Sequence, residues 1–178
     1  PSGFHVHPHE NPDHRVPKNQ ICLYVLRNQI NQYVYPIHRL DVGTSGVLLF
    51  AKNSTMAGQI SKQFNNDSAD IKGTLNKIYH CVVRGYVNDN GVIDLPLKSD
   101  SSDLMLAATT QYEKIKQIEL PYAVGKRHST ARYSLVKVKP KTGRYHQIRR
   151  HFDQIFHPLL GDATHGDSYH NRFFREQL

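Results

Sequence analysis

An α+β fold with a largely antiparallel sheet is what this sequence predicts, on three observations. Segments with strand character outnumber those with helical spacing, the two kinds do not alternate along the chain, and turn-forming clusters punctuate the strands. At 178 residues the chain is long enough for one full hydrophobic core and short for two ordinary domains. A single domain over residues 1–178 is the expectation.

The elements follow in order. The first twenty residues, rich in Pro, His and Asn, read as loop, with a short strand around residues 4–7. Cys22, Val25, Leu26 and Gln29 fall at helical spacing and predict a short amphipathic helix over 21–30. Pro36 and the stretch 38–46 break it, and 47–52 is a compact apolar run, expected as a buried strand. Ser54 is the expected N-cap of a second helix, with Met56, Ile60 and Phe64 on its inner face. Residues 65–76 read as polar loop, 77–87 as strand, and Asn88-Asp89-Asn90-Gly91 as a turn leading into 92–94. A second polar loop covers 100–103, and strands are expected over 109–118 and 131–139. Thr142-Gly143 opens a helix expected to reach about Phe156, where Pro158 stops it.

Several classes drop out. No apolar run approaches the ~20 residues of a membrane helix. Cys22 and Cys81 have no CxxC spacing, which argues against a disulfide scaffold or a Cys-rich zinc module and makes a reducing cytoplasm the default. His5, His7 and His9 alternate as metal ligands on a strand would, but Pro8 interrupts them and no partner cluster follows. We expect no metal site. Pro1-Ser2-Gly3-Phe4 shows neither a basic nor an apolar leader segment, and the missing start Met leads us to expect a piece of a longer chain.

Charge is the first functional clue. The net charge is +8, and between Leu120 and Phe152 there are nine basic residues and no acidic one: Lys126, Arg127, Arg132, Lys137, Lys139, Lys141, Arg144, Arg149 and Arg150. Tyr122, Tyr133 and Tyr145 interleave with them. Such a tract suits a polyanion whose backbone needs neutralising and whose bases offer faces to stack on, although a solvated basic face has the same composition.

Three stretches could carry chemistry. His38-Arg39-Leu40-Asp41-Val42-Gly43-Thr44-Ser45-Gly46 is a loop with one carboxylate among cations and two glycines that allow unusual backbone angles. An Asp that merely caps a turn beside an Arg would look the same, and Gly-Thr-Ser-Gly lacks the Lys and spacing of a P-loop. On the helix after Gly143, Ile148, Phe152 and Ile155 share one face, with His146, Arg149 and Arg150 opposite. An Arg on that polar side could pair with a carboxylate, or simply face water. Tyr79 opens the strand 77–87 on the same face as Cys81 and Val83, fitting either a core Tyr or a ring that stacks on a base.

Together these stretches resemble the RluA-type pseudouridine synthases, which isomerise uridine in RNA. The likeness runs in order through Pro1-Ser2-Gly3 with Val6-His7, His38-Arg39-Leu40-Asp41 with Thr44-Ser45-Gly46-Val47-Leu48-Leu49, Lys77-Ile78-Tyr79 with Gly85, Thr142-Gly143-Arg144-Tyr145-His146-Gln147-Ile148-Arg149-Arg150-His151, and His157-Pro158-Leu159-Leu160-Gly161-Asp162. It covers nearly the whole chain. Arg39-Leu40-Asp41 leading to Thr44-Ser45-Gly46, Arg150 before His151, Thr164-His165-Gly166-Asp167, Asn171-Arg172 and the stretch 124–133 ahead of 139–143 look most like the tRNA pseudouridine-65 synthase branch.

The resemblance implies a single catalytic domain with a curved, mixed but mostly antiparallel sheet and flanking helices, lacking here a strand before Pro1 and strands after Leu178. It implies an isomerase with Asp41 as catalytic carboxylate, Arg39 helping to expel or replace the flipped uridine, Tyr79 stacking on the base and assisting its deprotonation, and Arg149 paired with Asp41. His38, Arg144, His146, Arg150, Lys126, Arg127 and Arg132 are the expected RNA contacts. No cofactor is implied, because the reaction changes no redox state and transfers no phosphoryl group. The implied partner is RNA, tRNA first and ribosomal RNA as the alternative, with no membrane, no obligate protein partner and a cytoplasmic location. A non-catalytic RNA-binding module on the same surface is the rival reading.

Overall fold

A computed structural model gives the structure and describes residues 1–9, 13, 15–65, 75–125 and 128–177. The chain divides into two compact units, Pro1–Leu75 and Asn76–Leu178. Most of the polar loop expected over 65–76 lies outside the described residues, as do Lys126 and Arg127.

In the first unit, a 3₁₀ turn (Lys18–Gln20) leads into α1 (Cys22–Ile30). Its buried side chain is Leu23, which joins Ile21 and Val34 with Tyr24, Leu26 and Phe50 around them. The inner face is thus turned from the expected one, and Gln29 is exposed. Asn31, in the left-handed conformation at φ 48°, ends the helix well before Pro36. The expected strand near 4–7 is reduced to one parallel bridge, His5 to Ile21.

Two short strands follow, β1 (Tyr35–Pro36) and β2 (Phe50–Ala51), paired antiparallel. The compact buried strand expected over 47–52 shrinks to these two residues, and Val47 is 86% exposed. An apolar run alone does not secure pairing, and Gly46 at φ 149° carries the backbone out of strand geometry just before it. The helix α2 (Ser54–Asn65) is capped one residue earlier than expected: Met56 N–H donates to Asn53 Oδ1 at 2.8 Å. Its less exposed positions are Ala57, Ile60, Ser61 and Phe64, so Met56 points outward.

The second unit is built on four antiparallel strands: β3 (Tyr79–Arg84), β4 (Asn90–Asp94), β7 (Thr109–Leu120) and β8 (Ala131–Pro140), in the order β3-β8-β7-β4. A small pair, β5 (Leu97–Lys98) with β6 (Met105–Leu106), lies between β4 and β7 in sequence and encloses the polar loop at 100–103. The Asn88–Gly91 stretch does not fold β4 back on β3, because the chain crosses from one sheet edge to the other. Val87 in that crossover is buried beside Val83, Ile93, Val136, Val138 and Phe152. A register shift between Lys114 and Lys116 bends the β7–β8 ribbon.

Strand β8 is buried on both sides, with Ser134, Val136 and Val138 on one face and Ala131 and Tyr133 on the other. The first face takes α3 (Gln147–Gln154) through Phe152, Ile148 and Ile155. The second meets α4 (Ser168–Gln177), where Phe174 packs edge-on against Tyr133 and His170 Nδ1 lies 2.8 Å from the Tyr133 hydroxyl. No element was expected at α4.

The helix α3 starts later than the Thr142-Gly143 signal. His146 adopts φ 49°, which cannot belong to a right-handed helix, so 141–146 is a turn and the helix opens at Gln147. It closes at Gln154, with Phe156 at φ 64° ahead of Pro158. His151, fully buried, joins this helix to β7. Its Nδ1 lies 2.9 Å from Thr110 Oγ1 and its Nε2 3.0 Å from Leu95 O. A carbonyl only accepts, so Nε2 carries the proton and the Thr110 hydroxyl donates to Nδ1.

Burial lowers the His151 pKa first, and Arg150 lowers it further, against the Leu95 hydrogen bond and Asp94. The neutral ring therefore contributes its stability in full above the unfolded value of ~6.5 and loses it as pH falls below that. Urea titrations should show unfolding free energy dropping from about pH 7.5 to 5.5. Thr110→Val should cost about 1–3 kcal/mol at the upper pH by leaving His151 and Gln147 short of a partner; an unchanged midpoint would remove this chain of bonds from the stability of the fold.

Candidate active site

In the first unit the Asp41 loop is a tight turn. Thr44 N–H donates to Asp41 O at 2.8 Å across Val42-Gly43, and Gly3 N–H donates to Val42 O at 2.6 Å. The Pro1-Ser2-Gly3 stretch therefore props the turn from outside, with Gly3 at φ 87°. Asp41 is half-buried and Arg39 exposed. His38 is held from two sides: Leu49 N–H donates to its Nε2 at 3.2 Å, and Phe64 stacks on its ring at 4.8 Å. The backbone bond assigns the acceptor role to Nε2.

In the second unit Tyr79 is the first residue of β3, opposite Val138 and packed against the edge of the core. Lys77, two residues earlier, lies alongside Gly143. The start of β3 and the turn 141–146 thus share one end of the sheet. Burial pushes the neighbouring Cys81 thiol up to about 12, so it stays protonated and unreactive.

Gln147 fastens that turn. Its Oε1 accepts from Thr142 Oγ1 at 2.7 Å and from Arg144 N–H at 3.0 Å, while its Nε2 donates to Thr109 O at 3.0 Å and Thr110 Oγ1 at 2.9 Å. Arg144 Nε donates to Ala107 O and Arg150 Nη1 to Lys98 O, tying the entry of α3 to the β5–β6 side.

Two residues into α3, Arg149 meets a carboxylate that sequence reasoning did not place in the site. Asp162 receives Arg149 Nε on Oδ2 and Nη2 on Oδ1, both at 2.7 Å, with only 3% of its side chain exposed. Thr164 and His165 N–H donate to the same Oδ1 at 2.9 and 3.0 Å. Arg149 Nη1 lies 2.7 Å from His146 Nε2, which must accept because guanidinium has only donors. The His146 proton is then on Nδ1, 3.3 Å from His165 Nε2. The only signal for Asp162 in the sequence is its place at the end of His157–Gly161.

The turn after Asp162 is close-fitting. A Cβ on Gly166 would overlap the Asp162 carbonyl oxygen, and Asn171 of α4 donates to that same oxygen at 2.8 Å. Burial alone would raise the Asp162 pKa, but Arg149 and the two amide donors outweigh it and bring it down to about 2.

Arg132 stands elsewhere. It is near the start of β8, about 26 Å along the strand from Pro140 at ~3.3 Å per residue. There its guanidinium pairs with Glu119 at 3.2 Å and lies over the Tyr86 ring at 5.3 Å. With Arg84, His128 and His170 it lines an open groove of about 880 Å³. The basic tract, continuous in sequence, is divided between two ends of the sheet.

The family model for RNA pseudouridylate synthase matches residues 1–154. The chain belongs to the RNA pseudouridylate synthase family. Among relatives, it is 40% identical to tRNA pseudouridine synthase C of Vibrio cholerae, over 100% of this chain and 73% of that protein. It is 46% identical to tRNA pseudouridine synthase C of Haemophilus ducreyi, over 88% of this chain and 65% of that protein. The fold is shared with human RNA Pseudouridylate Synthase Domain Containing 1, at a TM-score of 0.66 and 23% identity over 92% of this chain and 66% of that one. Among the described residues of this family member, no helix is long and apolar enough to cross a membrane.

The lowered Asp162 value fixes a pH window. Its ion pair stabilises the fold fully above the unfolded pKa of ~3.9, and that contribution disappears as pH falls toward about 2. We expect a loss of roughly 2 kcal/mol across that window, read as a falling urea midpoint. The same titration of Asp162→Asn should be flatter there, and an equally steep fall would assign the acid sensitivity to other carboxylates.

Proposed function

We propose that this chain is the catalytic domain, or most of it, of an RNA pseudouridine synthase that isomerises one uridine in tRNA, of the uridine-65 type. One observation carries the reading: over its whole length the chain matches a protein named tRNA pseudouridine synthase C at 40% identity. The rivals are a ribosomal RNA substrate and a non-catalytic RNA-binding module. A cytoplasmic location goes with a tRNA substrate.

The reaction breaks the bond between ribose carbon and uracil nitrogen, turns the base while it stays bound, and joins ribose to a base carbon, from which a proton leaves. Uridine must first come out of its stack, at a cost of a few kcal/mol that contacts to neighbouring phosphates offset. In this reading Asp41 is the carboxylate that acts as nucleophile or base. Arg39, exposed two residues ahead of Asp41, helps expel or replace the flipped uridine. Tyr79 offers its ring to the base, and Arg149 supplies the cation that pairs with Asp41 and orients it.

His38, Arg144, His146 and Arg150 are the proposed RNA contacts, with Lys126, Arg127 and Arg132 as a further group. The firm attachment of Arg144 and Arg150 to backbone carbonyls supports a fixed basic edge with outer N–H groups directed by the fold. Such an edge suits phosphates, which accept from arginine in fixed geometry.

The deciding experiment is chemical labelling of pseudouridine with primer extension on tRNA and ribosomal RNA, treated with the protein and with Asp41→Asn. We expect one Asp41-dependent stop in the T-arm side of tRNA. A stop in ribosomal RNA would overturn the tRNA substrate, and RNA binding without any product would favour the binding module. Separately, Arg132→Ala should reduce the slope of log K against log salt by roughly 0.7–0.9 if it neutralises one phosphate; an unchanged slope would take Arg132 off the RNA surface.

A further inference from the structure

Asp162 is the one acidic side chain buried among the described residues, and no role in the proposed chemistry uses it. Ionised carboxylates are rarely buried unless their charge is matched, and here the match is unusually complete. Both carboxylate oxygens bind Arg149, and two backbone amides hold Oδ1 in place.

Seen from Arg149, three of its five N–H groups are engaged inside this unit. Nε and Nη2 form a side-on fork with Asp162, and Nη1 donates to His146. A fork of two parallel bonds fixes the plane of the guanidinium as well as its distance. His146 adds a third point, and its own ring is set by Tyr145 stacked at 3.7 Å and by His165. A counter-charge for stability alone would need none of this directional detail.

We propose that Asp162 is a positioning residue for Arg149. Its carboxylate sets the plane in which Arg149 presents its outer N–H edge to the reacting carboxylate and the uridine. The inference rests on the pseudouridine synthase reading and deepens it. Its energetic basis is preorganisation, where a displacement of ~1 Å costs about 100-fold in rate.

The test uses the full-length protein and an unmodified tRNA transcript. Asp162→Glu keeps the charge but adds a methylene, so the pair survives while the guanidinium is displaced. We expect kcat to fall about 100-fold with KM for tRNA held within about 3-fold. In an Arg149→Lys background the same change should cost less than about 3-fold, because the group it positions is gone. Equal fold-losses in both backgrounds, or a loss confined to KM, would overturn the proposal.

A second measurement needs no activity. The Arg149 Nε–H should give a slowly exchanging resonance in heteronuclear NMR spectra, and Asp162→Asn should make its exchange fast. A resonance unchanged in Asp162→Asn would overturn the clamp. Absence of product from the wild-type protein would instead overturn the functional reading, while the resonance would still decide whether Asp162 holds Arg149.

Discussion

The end of the second unit that carries Arg149 depends on one side-chain amide. Gln147 has two donors and an acceptor with two lone pairs, and all four are used. Its partners come from the start of β7, from Thr142 and from the Arg144 backbone. A neutral hydrogen bond is worth only about 1 kcal/mol net, but leaving a buried partner unmade costs about 1–3 kcal/mol. The arrangement therefore holds as a set. It also replaces the usual capping of α3: with His146 in a left-handed conformation and offering no side-chain cap, the first residue of the helix itself fastens the preceding turn. The rotation of α3 about its axis follows, and with it the direction of Arg149.

Much of this fold was legible because it is local. The strand character of 109–118 and 131–139 and the apolar stripe Ile148, Phe152 and Ile155 are written in neighbouring residues. The misses share a cause in distant partners. Residues 47–52 look like a strand, but among the described residues they pair with β1 alone, so two residues form a ladder and Val47 lies open. The helix α4 has little apolar content apart from Phe173 and Phe174, and its partner, Tyr133, lies far back in sequence on the second face of β8. Nothing in the local pattern announces that face. At α2 the shift from Ser54 to Asn53 reflects two equally good caps side by side, of which the backbone selects one.

The candidate site divides in the same way. Asp41, Tyr79 and Arg149 stand out as reactive types in short motifs. Asp162 does not, because its role comes from a helix thirteen residues earlier and from amides in a turn that tolerates no side chain at Gly166. The basic tract misled in another sense. Read as a string it is one patch, but β8 runs through its middle and carries Arg132 to the end opposite Arg144 and Arg150. The acidic residues that the string lacks return in space: Glu119 beside Arg132 and Asp162 beside Arg149. Net charge along a sequence is therefore a poor map of field on the surface.

The bond from Gly3 N–H to Val42 O has a bearing on how the molecule orders itself. The turn that presents Asp41 closes on itself through Thr44 N–H, and a residue from the far side of α1 braces it. Sub-global opening at a chain terminus costs less than global unfolding, and it is enough to release such a brace. The amide of Gly3 is therefore a natural reporter of order in the loop that carries Asp41, read independently of the sheet.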